Sequence, residues 1–276
     1  MHETRALAQF VAQIQFTDVP PSLIDDCKIA VLDAFGAGFV GAEQPWAQRV
    51  VELVRELGGT PEASVLHQAW QTDVSRAALA NGALIGAFEC EPLTGSHACG
   101  TVLPAALAVC QREHLSGEAF LTALAVGFEV SARIARTAVG LETVRGFHNP
   151  GTQGPFGAAV AVGKLYGFDQ ETLVSAMGLA GSCSAGLLEF AWSGADTKRL
   201  HLGRASQLGL ESALLAQKGS TVCSKDLSPS RLSPVARPLT WCRPAVGRAY
   251  CCCTAIRRHT PCGTRLPHGW RRILRW

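Results

Sequence analysis

Up to about residue 220, apolar residues recur every three to four positions between short breaks rich in Gly, Pro and polar side chains. That is the period of helices with one buried face. Ser22 is placed to cap a helix through Ile24, Cys27, Val31, Leu32 and Phe35. Asp25 and Asp26 lie in its first turn, where acids favour the dipole, and Gly36, Gly38 and Gly41 weaken its end. The same pattern predicts helices from Trp46 to Leu57, Ser75 to Gly86 and Pro104 to Gln111. Ser116 then caps a long one carrying Phe120, Leu124, Phe128 and Ile134. Further helices are predicted at Phe156–Tyr166, Glu171–Ala185 and Ala205–Gln217. Only Ala63 to Leu66 reads as a strand, and no strands alternate with the helices, so the predicted class is all-α.

After Ser220 the period is lost. Leu227 to Pro238 holds three prolines, Cys251, Cys252 and Cys253 are adjacent, and the chain runs to Trp270-Arg271-Arg272-Ile273-Leu274-Arg275-Trp276. Charge divides at the same place. Residues 1–222 carry 14 Lys and Arg against 21 Asp and Glu, whereas residues 223–276 carry 11 against the single Asp226. The expected organisation is therefore a helical domain over 1–220 and a basic Cys/Arg/Pro-rich stretch over 221–276. The second part reads as disordered or as a coding strand translated in a shifted frame; a natural basic tail stays open beside that.

Hydrophobic residues at 47% against 17% charged, with many Ala and Gly and few aromatics, suit closely packed helices with small residues at the crossings. No apolar run reaches the ~20 residues that cross a bilayer, and the start of the chain lacks the form of a secretory signal, so the expected location is cytoplasmic. Cys27, Cys90, Cys99, Cys110 and Cys183 lack paired spacing, as reduced thiols would.

Three segments bring polar chemistry into this apolar body. Between Ala87 and Gly100, Glu89, Glu91, Thr94 and His97 lie on a stretch interrupted by Pro92 and Gly95. It reads as a loop that presents a base or donors to an anion, or equally as solvated charges with a passive histidine. His148 precedes a Gly-rich turn (Gly151, Gly154) and a helix start, where outward N–H groups attract anions and keep an imidazole neutral; a turn histidine bonded to backbone fits too. Lys198, Arg199, His201 and Arg204 follow the Gly194-Ala195-Asp196-Thr197 turn, which suits a polycarboxylate as well as an ordinary basic helix start. Histidines some fifty residues apart form no helical metal motif, the glycine spacing is not that of a dinucleotide fold, and no Gly-x-Ser-x-Gly elbow occurs.

Taken together and in order, these segments resemble the MmgE/PrpD family, which includes 2-methylcitrate dehydratase and cis-aconitate decarboxylase. The resemblance runs through Leu32-Asp33-Ala34-Phe35-Gly36, Asn81-Gly82-Ala83-Leu84, Thr101 to Ala108, Ala125 to Val130, Arg145-Gly146-Phe147-His148 and Thr197-Lys198-Arg199-Leu200-His201-Leu202-Gly203. It implies a large helical domain with an α+β lid, a homodimer, and a lyase that needs neither metal nor organic cofactor. By motif, His97, His148 and Lys198 match the family's catalytic residues, with Glu89, Glu91, Thr94, His201 and Arg204 expected around a small di- or tricarboxylate.

Two features depart from the family. Its acidic Asp-x-Asp-Asp-Thr loop reads Glu89-Cys90-Glu91-Pro92-Leu93 here, which bears on the substrate, and the basic stretch stands where a lid is expected, so weak or no activity is anticipated. A dicarboxylate epimerase, an inactive fragment and a nucleic-acid-binding tail are the alternatives. Among partners, a polycarboxylate is expected; a membrane and nucleic acid are not.

Overall fold

The structure, a computed structural model, describes residues 2–90, 94–138 and 141–222; the basic stretch from residue 223 and Glu91 lie outside them. Twelve helices follow one another among the described residues: α1 (His2–Gln13), α2 (Pro21–Gly41), α3 (Pro45–Leu57), α4 (Val74–Ile85), α5 (Thr94–Thr101), α6 (Leu103–Arg112), α7 (Gly117–Ala138), α8 (Leu141–Val144), α9 (Asn149–Leu165), α10 (Gln170–Cys183), α11 (Phe190–Ser193) and α12 (Thr197–Gln217). The fold is all-α. A two-residue antiparallel pair, β1 (Ala63–Ser64) with β2 (Gln71–Thr72), interrupts the helices at the segment that reads as a strand. No helix among the described residues is long and apolar enough to cross a membrane.

Local chemistry explains several boundaries. Asp73 accepts from the backbone N–H of Ser75 and Arg76 and so starts α4, and Asp169 accepts from Thr172 N–H to start α10. Ser116 Oγ receives the Ala119 N–H at 3.2 Å, just ahead of α7. At α2 the expected cap is corrected. The N-cap is Pro20 with Pro21 at the first helical position, where the missing N–H costs nothing, and Ser22 lies inside the first turn. The helix runs through Gly36 and Gly38 and ends at Gly41.

α12 lies against α4, α9 and α10, and α9 also lies against α7, so these two helices form the centre. Much of the buried cluster there is alanine: Ala77 and Ala78 of α4, Ala158 and Ala159 of α9, Ala176 and Ala180 of α10, and Ala213 and Ala216 of α12. Side chains this small let backbones approach closely, and Gly203 shows the limit. A Cβ there would collide with the Leu79 carbonyl oxygen of α4, so the α4–α12 crossing requires hydrogen at that position. The start of α12 is thereby pressed onto the end of α4, beside the residues that carry chemistry.

Candidate active site

α9 begins seven residues before the predicted Phe156. His148 is its N-cap residue, in an extended conformation, and Asn149-Pro150 opens the helix with proline where its lost donor is harmless. The Gly-rich stretch is thus two turns of helix, and tertiary contacts make it so. Pro155 sits inside α9 without an N–H, which leaves the Gly151 carbonyl free of its helical partner. Ala185 N–H fills that acceptor at 3.1 Å. A Cβ on Gly151 would strike the Ala185 carbonyl, so glycine is needed for the approach. The docked 185–188 segment then pairs with 146–148 around an isolated antiparallel bridge: His148 N–H donates to Gly186 O at 3.0 Å and Leu188 N–H to Gly146 O at 2.8 Å. On the other side, Glu142 of α8 accepts from Thr152 Oγ1 and Gln153 Nε2, with burial raising its pKa above the ordinary carboxylate value.

This scaffold fixes His148 at 8% exposure, and its Nδ1 lies 3.0 Å from Nδ1 of His201, which stands in the second turn of α12. The His97 ring of α5 is the third imidazole, with its centroid 6.5 Å from that of His148. Phe190 of α11 joins the group. Its ring meets His148 edge-on at 4.8 Å, lies 5.8 Å from His201, and has Lys198 Nζ over it at 5.5 Å. Lys198, in the first turn of α12, is ion-paired with Glu89 across 109 residues of sequence. The other Glu89 oxygen, Oε1, is buried and has no hydrogen-bond partner among the described residues. Glu89 and His97 are two of the four described non-glycine residues at positive φ (56° and 58°), a strained conformation that the surroundings must hold in place.

The loop carrying Glu89 is braced from two sides. Ala87 O accepts from Trp46 Nε1 at 3.2 Å and from Arg199 Nε at 3.4 Å, while the Arg199 guanidinium stacks 4.4 Å over the Trp46 ring. Arg49 of α3 in turn pairs with Asp196, the N-cap residue of α12.

Electrostatically, burial favours the uncharged form of two of these imidazoles, His148 and His201. Burial pushes His148 down to about 3, and charge on His201, His97 and Lys198 acts in the same direction. Burial also lowers His201. His148 is therefore neutral at pH 7 and able to accept a proton, and an anion bound beside it would restore its basicity. Among the described residues, no group of three or more His, Cys, Asp or Glu side chains is arranged to hold a metal ion.

The sequence-derived candidates thus separate. Glu89, His97, His148, Lys198 and His201 come together. His97 and Thr94 belong to α5 rather than to a loop, and the Thr94 side chain and Glu91 fall outside the description. Arg204 is directed elsewhere: it is exposed and donates to Gln207 Oε1 at 2.6 Å, and Gln207 donates on to Ser75 of α4. Phe190 and Trp46 were not singled out in the sequence, and Arg199, read there as one of a cation cluster for a polycarboxylate, instead braces Ala87 and Trp46; these roles exist only once α3, α11 and α12 are packed.

Such an arrangement defines a helical protein with a cluster of imidazoles and an ion-paired lysine at the starts of two central helices. Residues 5–230 match the MmgE/PrpD N-terminal domain, and the chain belongs to that family. It is 29% identical over 227 residues to the cis-aconitate decarboxylase-like protein oryM of Aspergillus oryzae, an alignment covering 78% of this chain and 47% of that protein. It is 28% identical over 225 residues to cis-aconitate decarboxylase of Aspergillus terreus and 27% identical over 228 residues to the human enzyme of that name. Each alignment covers 78% of this chain and 46% of the relative. The chain spans just under half the length of these curated relatives.

Proposed function

We propose that the site serves a lyase acting on a small di- or tricarboxylate of the cis-aconitate or 2-methylcitrate class. The observation that carries this reading is the meeting of His148, His201 and Lys198 on Phe190, with His97 beside them, in a chain whose relatives are named cis-aconitate decarboxylases. Lys198 already holds a carboxylate, that of Glu89, and so is the point charge for a substrate carboxylate. Glu89 Oε1, without a partner among the described residues, accepts from a substrate hydroxyl or carboxylic acid.

In a dehydration, His148 Nε2 takes a proton from the carbon next to a carboxylate, the C–H electron pair becomes the double bond as the neighbouring C–O bond breaks, and the departing hydroxyl takes a proton from solvent and leaves as water. In a decarboxylation, the C–C bond to a carboxylate breaks, carbon dioxide leaves, and the bonding pair takes up at carbon a proton drawn from solvent. Lys198 stabilises the charge that builds on the remaining carboxylate in both cases.

The test is proton NMR of the purified full chain in heavy water with cis-aconitate and with 2-methylcitrate. New alkene or decarboxylated product with the wild type, lost in His148→Ala and in Lys198→Ala, supports the reading; near-normal turnover in either variant removes that residue from it. Two imidazoles 6.5 Å apart also suit a two-base epimerase. Deuterium entering the substrate with no new product would favour that second reading.

A further inference from the structure

We propose that His201 is the proton-relay partner of His148, the two rings holding one proton between their Nδ1 atoms so that His148 presents a free Nε2 to substrate. The inference rests on the lyase reading for its purpose, but not for its geometry. Two imidazole nitrogens 3.0 Å apart repel unless one carries a hydrogen and the other a lone pair. The rings must therefore adopt complementary tautomers: when His148 carries its hydrogen on Nδ1, His201 carries its own on Nε2.

The contact is built rather than incidental. His148 is held by its backbone bond to Gly186 O, and the His201 ring lies against the bare α-carbon of the same Gly186, where a Cβ would sit 3.3 Å from Nδ1. Phe190 closes the remaining side against both rings. The docked 185–188 segment, released to bind by Pro155, thus aligns the two histidines from α9 and α12 at once.

The relay gives the pair an ability that neither ring has alone. His148 is 8% exposed, whereas His201 is half-buried and closer to solvent. When a substrate proton arrives on His148 Nε2, the central hydrogen crosses to His201 Nδ1. His148 is left neutral with its hydrogen on Nε2, and the positive charge rests on His201. His201 then releases its Nε2 proton to solvent, which leaves both rings neutral with hydrogens on His148 Nε2 and His201 Nδ1. The starting tautomers return when His148 gives its Nε2 proton to the departing product or to water, the central hydrogen crosses back to His148 Nδ1, and His201 takes a proton from solvent on Nε2. No oxidant or further reactant is needed. The ionisable groups that face the pair are Lys198 on α12, His97 on α5, and Glu89, whose carboxylate offsets Lys198.

The test uses the full chain labelled with ¹⁵N-histidine, with a chelator in the buffer, and reads ring tautomers from long-range proton–nitrogen spectra. In the wild type His148 should be the Nδ1–H tautomer and His201 the Nε2–H tautomer at pH 7. His201→Phe should move His148 to Nε2–H, while His201→Asn, whose amide oxygen can accept from Nδ1–H, should restore the wild-type tautomer. Asn cannot carry the proton onward, so turnover should still fall by about a hundredfold in kcat at little change in KM. A wild-type His148 already in the Nε2–H form, or both rings doubly protonated at pH 7, overturns the proposal without any variant having to fold. Complementary tautomers with no turnover on any polycarboxylate would sink the lyase reading and leave the pair standing. Turnover that depends on Lys198 with independent tautomers would do the reverse.

Discussion

Lowering the pH from 7 to 5 should cost the folded state about 2 kcal/mol through His148 alone. The side chain is buried, and its pKa falls from 6.5 to about 3 on folding. A depressed histidine pKa means that the unfolded chain binds the proton first, so this contribution is complete above pH 6.5 and is lost progressively as pH falls toward 3. Between pH 7 and 5 the unfolded imidazole goes from about one-quarter to almost fully protonated while the folded one stays neutral, which amounts to about 1.4 pH units of linkage at roughly 1.36 kcal/mol each. His201 shifts in the same direction and adds to the loss. The assay is urea unfolding of wild type and His148→Gln at both pH values. The carboxylates titrate alike in the two proteins, so their effect cancels in the difference between slopes. The wild type should lose about 2 kcal/mol more than the variant over this interval. Equal losses would show that His148 titrates as a solvated group and would refute its burial in the cluster.

Two other substitutions probe the scaffold. Pro155→Ala supplies an N–H that competes for the Gly151 carbonyl, so amide exchange at Ala185 should quicken by about tenfold with the helix itself no less stable; unchanged exchange would mean that the proline does not govern the docking of 185–188. Gly203→Ala sets a methyl against the Leu79 carbonyl, where backbone has no rotamer to yield, and should destabilise by about 3 kcal/mol in the same urea assay, whereas a loss below about 1 kcal/mol would mean that α4 and α12 separate freely.

How far the sequence could be read depended on whether a signal was local. Ser116 ahead of α7 is a capping residue beside its helix, and the strand at Ala63 was visible from its own composition. The start of α9 was not, since Gly151, Gly154 and Pro155 signal a turn in isolation. The Ala185 amide and the tight approach at Gly151, both supplied from across the fold, make the segment helical. Leu32 shows the converse. It belongs to the apolar pattern of α2 yet is 72% exposed, while that helix buries Ile24, Cys27, Ala34, Gly38 and Gly41. At the site, His97, His148 and Lys198 came from motif resemblance and Glu89 and His201 from their segments. The facing of His148 and His201 depends on the crossing of α9 and α12, and the place of Phe190 on the docking of α11, neither of which has a local signature.

The most direct measurement is a titration of the ¹⁵N-histidine-labelled full chain with tricarballylate, a saturated tricarboxylate that mimics substrate without reacting. His97, His148 and His201 should all shift along one saturating isotherm, and Lys198→Ala should weaken that isotherm by at least about tenfold, consistent with 1.5–3 kcal/mol for a charge-assisted contact. Histidine signals that move with different midpoints, or that stay still at saturating ligand, would mean that these side chains do not share one anion site.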